Sequence, residues 1–148
     1  MTKTIKLQNV DLVPVGNFLG KLKLKGKASR GRTKLIKLLD VKNKEYNEGL
    51  EEVRDPYFEH DDKGERVTKD NAYVLKCPTK GADLNKELVD LAKEDAVIEF
   101  TEYSEKFKAL YDALNAYPYE LADADATLYD LLMDELENNF KKEIDNSY

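Results

Sequence analysis

Apolar residues recur at helical spacing along most of the chain and alternate with polar ones in only a few short stretches. Residues 3–8, KTIKLQ, alternate, which predicts a short edge strand. Val10, Val13, Phe18 and Leu22, with Leu12, Val15 and Leu19 beside them, predict a helix over 12–22, and Pro14 suits its first turn. A long amphipathic helix over 30–55 follows, with Ser29 as its N-cap. Ile36, Asn43, Leu50 and Tyr57 fall seven apart and Leu39, Tyr46 and Val53 form the interleaved row, an approximate heptad interrupted by Asn43 and Gly49. Pro56 ends it, because the residue before a proline is driven out of the helical region. Such a helix suits the core of one domain or the seam of a homo-oligomer through 30–55.

Beyond it, the polar run 59–71 with Asp62-Lys63-Gly64 predicts an exposed hairpin or loop, and 72–77 a strand. Asp83 is expected to cap a helix reaching Lys93, with Leu84, Leu88 and Leu91 on one side. Residues 97–103 alternate and predict a second strand. Ser104 opens a helix with Phe107, Leu110, Tyr111 and Leu114 on one face, and a last helix spans 125–142. Asp123 and Asp125 at its start and Lys141 and Lys142 at its end match the helix dipole. The expectation is a single α+β domain over 1–148, mostly helical: four to five helices, a two- or three-stranded antiparallel sheet, and a frayed tail at 143–148.

Composition narrows the class. A chain of 148 residues that is 41% hydrophobic can bury one core, too short for two ordinary domains. No apolar run approaches the roughly 20 residues of a membrane span, and residues 1–13 lack the apolar core of a secretory signal. Cys77 is the only cysteine, so an internal disulfide is excluded and a cytosolic setting expected, with Cys77 read as a small buried apolar residue.

The net charge of −6 conceals a polarity. Residues 1–37 hold ten Lys or Arg against Asp11 alone, whereas residues 82–148 hold eighteen acids against six lysines. The two ends either present surfaces of opposite sign to partners or pack together and cancel.

Gly26-Lys27-Ala28-Ser29-Arg30-Gly31-Arg32-Thr33 matches the phosphate-loop pattern except that Arg32 stands where the lysine belongs. The preceding KLKLK is too charged for a buried central strand, and no apolar strand ending in Asp follows, so nucleotide hydrolysis is not expected. Lys25, Lys27, Arg30, Arg32 and Lys34 remain candidates for binding a partner or an anion, with nucleic acid as the alternative ligand. His60, with Glu59, Asp61 and Asp62, lacks the spacing of a zinc or calcium site. Carboxylate pairs such as Asp130 and Asp134 are what chance gives among 30 acids. No catalytic residue, cofactor or metal is expected. The nine tyrosines are read as mostly core-facing, except Tyr117 and Tyr119 around Pro118, which suit a protein interface.

NVDLVPVGNFL, LKLKGKASRGRTKLIKLL, the Asp61–Glu65 turn and LYDLLMDELE together give a resemblance that covers most of the chain. The chain resembles a family of small uncharacterised proteins encoded by phages and prophages of low-GC Gram-positive bacteria. That resemblance implies a phage accessory protein acting in the host cytoplasm or in the virion through a phage or host protein, and it carries no catalytic residues.

Overall fold

Alternation at the start of the chain becomes strand β1, Thr4–Gln8, whose Ile5 and Leu7 point inward and are fully buried. It pairs antiparallel with β4, Asp95–Glu99, in a register that sets Ile5 against Ile98 and Leu7 against Ala96. The structure, a computed structural model, describes residues 1–145, with side chains through Phe140. Contacts gather in two compact units, Met1–Asn43 with the chain from Asp95 onward, and Lys44–Glu94.

The first unit holds the β1–β4 sheet with α1 (Leu12–Gly20), the first part of α2 (Gly26–Arg54), α4 (Ser104–Asn115) and α5 (Asp123–Asp145); α5 packs against β1, and α1 and α4 against α5. Helix α4 buries Phe107, Leu110, Tyr111 and Leu114, the spacing of one helical face. Phe100 stacks on Phe107 at 4.4 Å and meets Phe140 of α5 at 5.9 Å. On α2 the buried residues are Ala28, Gly31, Leu35 and Leu39. The heptad rows of the sequence are therefore displaced: Leu39 is buried, but Ile36, Asn43, Tyr46, Leu50 and Val53 are only half-buried.

The second unit holds the rest of α2, the hairpin β2–β3 (Thr68–Lys69, Ala72–Tyr73) and α3 (Gly81–Lys93). Asp70 and Asn71, both at positive φ, form the two-residue turn between β2 and β3, the mirror-image type that matches strand twist. Phe58 bridges Leu75, and His60 bridges Arg66 across a second turn in which the Asp61 carboxylate accepts the N–H groups of Lys63 and Glu65. Leu84 is the buried residue of α3.

Among the described residues the result is an α+β, mostly helical fold of five helices, with two two-stranded antiparallel sheets in place of one. Helix α2 starts at Gly26, so Ser29 is inside it and is not its N-cap; Lys25 C=O accepts from the Ser29 N–H instead. Likewise α3 starts at Gly81, and Asp83 lies in its first turn without a capping hydrogen bond. Residues 101–103 form a 3-10 turn, ending the second strand early. Of the expected frayed tail, 143–145 continue α5, and 146–148 lie outside the described residues. No helix among the described residues is long and apolar enough to cross a membrane.

Candidate anion-binding site

Where α2 passes α4, Gly31 meets backbone. A Cβ on Gly31 would lie 2.3 Å from the Lys106 carbonyl oxygen, closer than side chains ever approach, so only glycine fits. That approach brings Lys106 beside the exposed side of α2. There Lys27, Arg30, Lys34 and Lys37 recur at steps of three or four residues and so share one face. Arg30, Lys34, Lys37 and Lys106, with Ser29 and Thr33, line an open recess of about 400 Å³ to which no carboxylate among the described residues contributes.

The Lys34 ammonium lies 4.2 Å above the Tyr103 ring, which fixes its position without neutralising it. Cations at these spacings repel one another by roughly 0.2–0.5 kcal/mol per pair on a solvated helix, a cost that a bound anion removes. Among the described residues, Lys21 of the basic stretch 21–37 pairs with Asp125 of the acidic half at 2.9 Å.

The five residues singled out in the sequence separate here. Lys25, Lys27 and Arg30 are exposed, and Arg30 and Lys34 share the recess. Lys27 lines a second recess of about 450 Å³ whose Glu105, Lys108 and Asp112 give it mixed charge. Arg32 turns away: its guanidinium donates to Leu22 O at 2.6 Å and to Ser29 Oγ at 3.0 Å, tying the segment after α1 to α2. It is half-buried and structural, so it leaves the binding set. The phosphate-loop reading also ends, because Gly26–Thr33 is helix rather than loop and Thr33 Oγ1 donates back to Ser29 O. Lys37 and Lys106 complete the site. Lys37 was visible as the next step of the helical row; Lys106, on another helix, left no signal.

Tyr117 and Tyr119 meet edge to face at 5.3 Å beside a recess of about 230 Å³. The Tyr117 hydroxyl accepts the Lys23 N–H at 3.1 Å, and the Lys23 ammonium lies 4.8 Å from the Tyr119 ring. Tyr117 thus anchors the segment after α1, while Tyr119 is half exposed. The other tyrosines are not mainly in the core: Tyr111 is buried, Tyr73 is exposed, and Tyr129 donates to Leu114 O at 2.7 Å at the end of α4. Cys77 is exposed, not buried, and its hydrogen bond with Thr79 lowers the thiol below its ordinary range.

His60 Nε2 is 2.9 Å from Asp55 Oδ1, which also receives Arg66 Nε at 3.0 Å. His60 and then Arg66, by hydrogen bonding, hold the Asp55 carboxyl below the usual carboxylate range. No three His, Cys, Asp or Glu side chains among the described residues converge as a metal site would need.

Over residues 1–143 the sequence matches the family model described as Protein of unknown function (DUF1617). The chain belongs to this family. The DUF1617 match covers the cationic recess, both Tyr117 and Tyr119, and the hairpin of the second unit. No curated protein and no solved structure matches the chain.

Proposed function

We propose that this protein is a non-enzymatic binding module, a phage or prophage accessory protein that docks an acidic surface of a partner protein onto the cationic face of α2 and α4. The observation that carries this reading is the recess of Arg30, Lys34, Lys37 and Lys106, lined by no carboxylate among the described residues. The Ser29 and Thr33 hydroxyls in its lining suit acceptor oxygens. The partner is a virion or assembly component or a host defence protein, met in the host cytoplasm; the resemblance to phage proteins supports that setting.

Nucleic acid is the second reading, favoured by the row Lys27, Arg30, Lys34 and Lys37. That row spans only about 15 Å at 1.5 Å per residue, and the acidic α5 repels a long polyanion. A compact acidic protein surface fits better.

Replacing Arg30→Glu with Lys37→Glu tests the site, since both are exposed and neither holds an internal ion pair among the described residues. Arg32 stays untouched because of its structural bonds. In affinity purification from lysate, with and without infection, the protein is expected to retain a partner through nuclease treatment, and the folded double variant to lose it. A partner kept by the double variant would refute the site. Loss of every partner on nuclease treatment, with retention on duplex DNA that falls steeply with salt, would make nucleic acid the ligand.

A further inference from the structure

The β1–β4 sheet has two outer edges, and the chain treats them differently. The Phe100 N–H bonds Lys3 O at 2.9 Å, and the antiparallel register carries the ladder bonds on through Ile5 with Ile98 and Leu7 with Ala96. The backbone groups of Thr4 and Lys6 therefore face the outer edge of β1. Helix α5 fills that edge: Asn139 accepts the Thr4 N–H at 3.2 Å and donates to Thr4 O at 2.8 Å, and Glu135 accepts the Lys6 N–H at 2.6 Å.

By the same parity the backbone groups of Asp95, Val97 and Glu99 face the outer edge of β4. None of them has a hydrogen-bond partner among the described residues, and Val97 is 43% exposed. The strand is regular, with no proline, glycine or lysine of the kind that blunts an open edge.

We propose that the outer edge of β4 receives an extended segment of a partner protein as an added strand. Its side chains select the occupant. Asp95, Val97 and Glu99 lie on the solvent face, so an added strand fits best with a basic, an apolar and a basic residue at alternate positions. A second copy of this chain is selected against, because antiparallel pairing centred on Val97 sets Asp95 against Glu99. The proposal is independent of the cationic recess, which lies on α2 and α4.

The test uses the whole protein and a short peptide alternating lysine and valine, with a glutamate–valine peptide as its opposite. Backbone amide shifts on titration are expected to concentrate at 95–99. Val97→Pro removes an outward N–H and leaves the bonds of Ala96 and Ile98 to β1, so it is expected to weaken binding by roughly tenfold, about one lost hydrogen bond. Should that variant misfold, Asp95→Lys with Glu99→Lys keeps the backbone intact and is expected to reverse the preference toward the glutamate peptide. Shifts centred on α5, an unchanged preference in the lysine variant, or self-association through β4 would overturn the proposal.

Discussion

Phe100, Phe107, Phe140 and Tyr111 hold the first unit from inside, their rings 4.4–5.9 Å apart and drawn from the stretch after β4, from α4 and from α5. In the second unit the comparable position belongs to a cation. The Arg66 guanidinium lies 5.2 Å from the Phe58 ring and 5.1 Å from Tyr73, and bonds Glu51 at 2.7 Å and Asp55 at 3.0 Å. The aromatic cluster gains from removing apolar surface from water, a gain that salt and pH hardly touch. The Arg66 cluster depends on charge and orientation at a surface, where such pairs are worth little singly and matter as a network. Two kinds of stability thus coexist in one chain, and they respond to different perturbations.

Gly31→Ala is expected to have the largest effect. Its Cβ overlaps the Lys106 carbonyl, which is backbone and does not yield, so α2 and α4 must separate at a cost of about 2–3 kcal/mol. Thermal unfolding should show it as a clear drop in Tm; an unchanged Tm would mean that the two helices are not held at that distance. Arg66→Ala is expected to cost less, about 1 kcal/mol, and to act locally. Hydrogen exchange should quicken through 57–76 and stay unchanged in α4.

Acidification gives the smallest and most selective effect. Because folding holds the Asp55 carboxyl below its usual range, its contribution is complete above about pH 4 and fades as pH falls through the lowered value. Hairpin resonances are expected to broaden or shift in that window while those of the aromatic cluster hold. Simultaneous loss of both would show that the two units do not differ in this way.

Elements governed by their own sequence were legible in advance. Helix α4 shows its buried face in Phe107, Leu110, Tyr111 and Leu114, and β1 shows its alternation directly. Long-range features were not. The heptad rows on α2 are displaced because its buried residues are Ala28, Gly31, Leu35 and Leu39, and Gly31, with no side chain to show in a hydrophobic pattern, becomes a contact only where α4 lies against it. Ser29 resembles an N-cap, yet Gly26, at φ 61, already opens the helix, so the serine side chain serves Arg32. Cys77 is apolar enough to be read as core, but the strand that was to bury it ends at Tyr73. Of the candidate cations in the sequence, Arg30 and Lys34 line the recess and Arg32 bonds inward, whereas Lys106 comes from α4, which only tertiary contact brings to α2.

The bond from Asn139 to β1 bears on the order in which the molecule can be assembled. Thr4 waits for a side chain 135 residues later, and Lys6 for one 129 residues later. Contacts so distant in sequence form late, since the chain between them must first give up its freedom. During synthesis β1 therefore emerges long before either of its neighbours exists: it has no strand partner until β4 is made, and its outer edge stays open until α5 follows. Its five residues, with Lys6 at the centre, limit what that strand can recruit in the interval.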